Sequence, residues 1–166
     1  MEKEMMTGQG LTQLLDMRRA SLAVHNGLPH SMEHVARIDD VVYINDSKAT
    51  FLDATLGSLS QITGRVIWIC GPISNDLGQG YVQDMLEERV DRVIVFGTAG
   101  SNDPAMLKPF EKPLYFAEEL RTAVFLAREL ATAGQVVLFS PACPSGNGFA
   151  NYEERGVEFK RAVKDL

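Results

Sequence analysis

Two continuous apolar runs, Val66-Ile67-Trp68-Ile69-Cys70 and Val136-Val137-Leu138-Phe139, constrain this chain more than anything else in it. Neither alternates with polar residues, as a strand with one solvated face would. Both fit strands buried on two faces, the situation of a parallel sheet covered by helices on both sides. Arg92-Val93-Ile94-Val95-Phe96 and Pro113-Leu114-Tyr115-Phe116 read as further strands, the last beginning at its proline.

Helical patterns lie between these runs. Leu52, Leu56 and Leu59 recur at helical spacing in a segment that opens near Asp53 and is expected to end at Gly64, and Val82, Met85 and Leu86 mark a second. A short helix is expected after the loop 97–103. The best helical face carries Leu120, Val124, Ala127 and Ala131, with Gly134 as its expected end. Phe159, Ala162, Val163 and Leu166 define the last helix. Near the amino end, Glu33 to Ile38 and Val41 to Ile44 read as two strands joined by Asp39-Asp40, a hairpin that requires one antiparallel edge. The fold class is therefore α/β: a Rossmann-like three-layer domain with a mainly parallel sheet and one antiparallel edge hairpin.

Every polar or glycine-bearing loop of note (45–50, 71–80, 97–103 and 140–151) follows a strand, so all share the carboxyl edge of the sheet. That is where open α/β sheets bind ligands. Two of these loops stand out. Asn45-Asp46-Ser47-Lys48-Ala49-Thr50 places a carboxylate, an ammonium, a hydroxyl and backbone N–H groups before a helix start, a set suited to a carboxylate or phosphate. A capped turn or a surface Lys48–Asp46 pair would use the same residues. Ser140-Pro141-Ala142-Cys143-Pro144-Ser145 follows the last strand, and there Ser145 can donate to a ligand carboxylate while Gly146 and Gly148 allow close backbone approach.

Other chemistries are disfavoured. Sixteen Lys and Arg against 22 Asp and Glu give a net charge of −6, which argues against nucleic acid as partner. No Gly-Lys dipeptide occurs, so there is no Walker A loop, and Gly97-Thr98-Ala99-Gly100 lacks a dinucleotide fingerprint. His25, His30 and His34 lack metal-ligand spacing and read as exposed or hairpin residues. Cys70 and Cys143 read as free thiols, and no local base would activate Cys143. No apolar run reaches membrane-spanning length and no secretory signal precedes the domain, so a cytoplasmic protein is expected. In Glu153-Glu154-Arg155 the acidic pair suits a helix start, and the arginine reads as charge patterning.

Four ordered blocks carry a resemblance: Gly27-Leu28-Pro29-His30, Tyr43 to Thr50, Ser140-Pro141-Ala142-Cys143, and Asn151-Tyr152-Glu153-Glu154-Arg155-Gly156. They resemble the carboxyl-terminal domain of the ATP-dependent Mur ligases, and the Tyr-Glu-Glu-Arg-Gly ending favours the D-glutamate-adding branch over the related folate-adding ligases. The resemblance implies that residues 27–166 form this domain. Residues 1–26 would be a linker or the trailing segment of a central domain. A UDP-binding domain and a P-loop ATPase domain would act with it in cis or in trans, in peptidoglycan precursor synthesis and so in cell-wall biogenesis and cell division. It implies an acyl phosphate attacked by the amine of D-glutamate, with ATP and magnesium in the intact ligase and neither bound by this domain alone.

Carried over by position, Asn45 and Asp46 approach the nucleotide. Lys48, Thr50, Ser145 and Tyr152 meet D-glutamate. No catalytic residue and no metal ligand falls in this domain. Three positions depart from the family pattern: Ser31 stands for an arginine, Phe51 for an asparagine, and Ser74, with Asp76 beside it, for a lysine that binds the glutamate carboxylate. Those departures motivate the alternative of a diverged, non-catalytic binding or interaction module.

Overall fold

The computed structural model describes residues 28–73, 80–97, 111–146 and 148–166. The expected short helix after residue 103, the lysine-replacing Ser74 with Asp76, His25 and the segment 1–26 lie outside these. The described elements are strands β1 (Glu33–Ile38) and β2 (Val41–Asn45), helix α1 (Leu52–Ser60), β3 (Val66–Cys70), α2 (Gly80–Arg89), β4 (Val90–Phe96), β5 (Leu114–Ala117), α3 (Leu120–Leu130), β6 (Val136–Phe139) and α4 (Tyr152–Lys164).

The sheet order is β1-β2-β6-β3-β4-β5, with β1 antiparallel to β2 and every other pair parallel. The expected edge hairpin is present. Asp39 and Asp40 both adopt positive φ, 50° and 62°, as a two-residue turn between right-twisted strands requires.

The pleat of β3 explains its sequence. Val66, Trp68 and Cys70 enter one core with Leu52, Leu56 and Leu59 of α1 and Leu86 of α2. Ile67 and Ile69 enter a second core with Leu120, Val124 and Ala127 of α3 and Phe159 of α4. Successive side chains point to opposite faces, so a strand between two helical layers must be apolar at every position.

Two helix ends differ from the sequence expectation. Helix α1 stops at Ser60 with Gln61 as its C-cap, not at Gly64. Helix α3 stops at Leu130, because Ala131 is already extended at ψ 146°. Gly134, at φ 87°, instead shapes the turn into β6, where its N–H donates to the Asp40 carbonyl at 2.9 Å.

Strands β2, β6 and β3 end level, since Asn45 pairs with Phe139 and Ile69 pairs with Phe139 from the other side. The chain leaves β2 and β3 toward the α1/α2 layer and leaves β6 toward the α3/α4 layer. Such a change of direction between neighbouring loops marks the edge where open α/β sheets place their ligand sites.

Candidate functional site

The candidate site is built on the ends of β2 and β6. Asp46 N–H donates to the Phe139 carbonyl at 2.7 Å, Ser140 N–H to the Ile69 carbonyl at 3.1 Å, and Gly71 N–H to the Pro141 carbonyl at 2.9 Å, which extends the sheet one residue beyond its strands. Gly71 has no alternative, because a β-carbon there would lie 2.3 Å from Cys143 Sγ. Ala142 N–H then donates to the Ala49 carbonyl at 3.0 Å, tying the loop after β6 to the loop after β2. Ala142 holds φ 55°, a left-handed conformation that costs a residue with a β-carbon about 1 kcal/mol or more.

Asp46 is 3% exposed and faces inward. Its Oδ1 accepts from Met32 N–H at 3.1 Å, and its Oδ2 accepts from Ser58 Oγ at 2.6 Å and Ser140 Oγ at 2.8 Å. Because Ser140 spends its one hydroxyl proton on Asp46, the 2.7 Å contact between Thr55 Oγ1 and Ser140 Oγ has Thr55 as donor. Burial raises the Asp46 carboxyl above its ordinary range, more than the Ser58, Ser140 and Met32 donors lower it. A surface pair with Lys48, one of the sequence readings, is not formed.

Asn45 is fully buried. Its Nδ2 donates to Glu33 Oε2 at 2.9 Å and meets His30 Nδ1 at 3.1 Å, while its Oδ1 accepts from Ser47 N–H at 3.2 Å. Glu33 in turn accepts from His30 N–H at 3.1 Å and pairs with Lys160 at 3.1 Å. Burial pushes the Glu33 carboxyl up, but His30, Asn45 and Lys160 together outweigh it and hold it below the usual range.

Lys48, by contrast, is exposed, and its ammonium has no ion pair among the described residues. It lines a depression of about 300 Å³ with Ser31, Asp46, Phe51 and Ser58. Thr50, Ser145 and Tyr152 are half-buried along the same edge. The Tyr152 ring stands edge-on to His30 at 6.2 Å, and the His30 carbonyl accepts from Lys48 N–H at 3.0 Å. Lys48 and Tyr152 are thus joined through one histidine.

That histidine corrects the sequence reading. His34 is exposed, but His30 is 8% exposed at φ 68°, and no periodicity marks a loop residue for burial. Arg155 is the larger correction. Far from being surface charge patterning, it is 1% exposed, and its guanidinium donates to the carbonyls of Ser47 (3.0 Å), Cys143 (3.2 Å) and Pro144 (3.2 Å). Burial lowers its pKa, with Cys143 opposing. Burial raises the Cys143 thiol as well, against the pull of Arg155. Gly156 beside it lets α4 reach the β2 end, for a β-carbon there would lie 2.2 Å from His30 Nδ1 and 2.4 Å from Ser47 Oγ. The Arg-Gly pair is a packing signal that sequence spacing alone does not decode.

The doubly wound sheet, with loops locked across its carboxyl edge, defines a three-layer domain of the α/β class. Residues 31–143 match the Mur ligase family in its glutamate ligase domain, and the chain belongs to that family.

Among relatives, the chain is 35% identical to the UDP-N-acetylmuramoylalanine-D-glutamate ligase of Christiangramia forsetii over 99% of its own length and 38% of the relative's. It is 40% identical to the enzyme of that name from Chlorobium limicola over 89% of its length and 32% of the relative's. It therefore spans about a third of these proteins. Among solved structures, it matches the UDP-N-acetylmuramate-alanine ligase of Thermotoga maritima with TM-score 0.53, at 16% identity over 94% of this chain and 36% of that one. A bifunctional folylpolyglutamate synthase/dihydrofolate synthase of Yersinia pestis, solved with AMPPNP and a manganese ion, gives TM-score 0.54 at 19% identity over 84% of this chain and 32% of that one. At such identities the likeness is one of fold.

Proposed function

We propose that this chain is the carboxyl-terminal, D-glutamate-binding domain of a D-glutamate-adding Mur ligase of peptidoglycan precursor synthesis, with residues 1–26 as a linker or the trailing segment of a central ATPase domain. The observation that carries the reading is the joining of two ligand loops at one edge, through the Ala142–Ala49 hydrogen bond at 3.0 Å. The relatives' names give the amino acid, and the exposed Lys48 ammonium gives a partner for one of its carboxylates. Thr50 and Ser145 supply hydroxyl donors, and Tyr152 walls the site beside His30.

For the nucleotide, the candidates are Asp46, which lines the depression, and Asn45, buried beside it with its amide bonded to Glu33 and Ser47. ATP, when bound with its magnesium between this domain and an ATPase domain, supplies the phosphoryl group that activates the acceptor carboxylate. This chain's own part is to bind and orient D-glutamate so that its amine faces that carboxylate, and it is inactive alone.

The test adds the UDP-binding and ATPase domains as a separate soluble protein and follows phosphate release with D-glutamate. Restored ligase activity is expected, falling at least ten-fold with Lys48→Ala. No activity from two folded partners refutes the reading.

One observation favours a second reading, a diverged binding module. Phe51, where the family has asparagine, is 57% exposed on the depression. On that reading, isothermal calorimetry detects no D-glutamate binding until Ser74→Lys restores the missing lysine. Tight binding by the unmodified chain refutes it.

A further inference from the structure

Arg155 is a buried cation whose hydrogen-bond acceptors are all neutral. Its Nη1 donates to the Cys143 and Pro144 carbonyls, and its Nη2 to the Ser47 and Cys143 carbonyls. Its Nε finds no partner, and neither does the buried Ser47 hydroxyl. No carboxylate among the described residues pairs with it.

Such a group is a poor device for stability, since desolvation of a buried charge commonly exceeds what its partners return. Its geometry shows what it does instead. The fork spans two loops that are remote in sequence, the one carrying Lys48 and Thr50 and the one carrying Ser145.

Peptide planarity extends the effect. In a trans peptide the N–H points opposite to the C=O, and the described chain has no cis bond. With the Ser47 carbonyl turned to Arg155, the Lys48 N–H turns away from it and meets the His30 carbonyl at 3.0 Å. With the Pro144 carbonyl turned to Arg155, the Ser145 N–H likewise points away from the guanidinium. One side chain therefore sets the orientation of both amides that flank the ligand groups.

We infer that Arg155 is a positioning residue, whose buried fork locks the Lys48 loop to the Ser145 loop so that the two halves of the site open and close as one unit. This rests on the proposed function only for the identity of the ligand. Lysine cannot substitute, because three donors on one flexible point cannot span carbonyls on two loops.

The test is amide-resolved hydrogen exchange combined with D-glutamate titration. In the unmodified protein, under increasing sub-denaturing urea, the Lys48 and Ala142 amides are expected to exchange through a single opening with the same urea dependence. Different urea dependences overturn the inference. In Arg155→Lys, both amides should exchange at least ten-fold faster relative to the β4 amides, and D-glutamate should bind at least ten-fold more weakly.

The control is Val124→Ala, a core change in α3 chosen for a similar loss of thermal stability. It should leave that ratio and that affinity unchanged. An unaltered Lys48 amide in Arg155→Lys, or an equal effect of Val124→Ala, refutes the positioning role. If Arg155→Lys fails to fold, the exchange of the unmodified protein decides. If the unmodified protein does not bind D-glutamate, the glutamate reading falls, and the exchange data still decide whether the loops are coupled.

Discussion

Replacing Gly156 by alanine tests whether α4 must touch the end of β2. Gly156 lies within helix α4 and has no positive φ, so the objection to a side chain is space rather than conformation. The new β-carbon would stand 2.2 Å from His30 Nδ1, 2.4 Å from Ser47 Oγ and 2.9 Å from Asn45 Nδ2.

The Ser47 hydroxyl, which has no partner, can rotate away cheaply. The His30 ring cannot, because its backbone is held on both sides, by Glu33 at 3.1 Å and Lys48 at 3.0 Å. It must give up its contact with Asn45. Overpacking a filled interior costs about 1–3 kcal/mol, and a lost buried hydrogen bond adds about 1 kcal/mol. Alanine recovers about 1 kcal/mol of helix propensity. The net loss is about 2 kcal/mol, a fall in Tm of about 4–8 °C for a chain of this size.

Gly57 in α1 is the internal control. A β-carbon there meets nothing within 4 Å, so Gly57→Ala should gain about 0.5–1 kcal/mol. Differential scanning calorimetry of both variants measures the contrast. A Gly156→Ala protein as stable as its parent would refute the claim that this glycine exists to admit His30.

Asp46 has a folded pKa above its unfolded one, so the native state binds more protons and stability from this group falls as pH rises through the interval between the two values. Urea titrations at pH 4 and pH 7 should show that component disappear in Asp46→Asn; an unchanged pH slope would remove it. Glu33 has the opposite sign. Its pKa is lowered, so its contribution is present above the unfolded value and lost as pH falls through the folded one, and Glu33→Gln should flatten the acid limb of the same titration. Asn151 caps α4 by accepting from Glu154 N–H at 2.8 Å, while Glu154 accepts in return from Ala150 N–H at 2.7 Å; Asn151→Ala should cost about 1 kcal/mol in chemical denaturation. Cys70 and Cys143 are both buried with thiols pushed up by burial, so Ellman's reagent should titrate neither at pH 8 until denaturant is added.

Much of this architecture was legible in the chain because it depends on local periodicity. The edge hairpin followed from Asp39-Asp40 between two short runs, and the buried strands from Val66–Cys70 and Val136–Phe139, where absence of alternation has one physical meaning. The placement of Lys48, Thr50, Ser145 and Tyr152 along one edge followed from topology, since parallel strands send their carboxyl ends the same way. Helix ends were less legible: α3 stops at Leu130 because the turn that follows bonds to the distant Asp40, and Gly134 serves that turn.

The sequence by itself determined that Asn45 to Thr50 and Ser140 to Ser145 lie at the carboxyl edge of a parallel sheet. Only the tertiary structure decided which of their side chains are buried and which stay exposed. Asp46 and Asn45 turn inward because Ser58, Ser140, Met32, Glu33 and His30 satisfy them there, and Lys48 stays outside because no described carboxylate reaches it. Arg155 looks like any helix charge in the sequence. It becomes the clamp between the loops because carbonyls 108 and 12 residues away converge on one buried point, and convergence of that kind is a property of the fold.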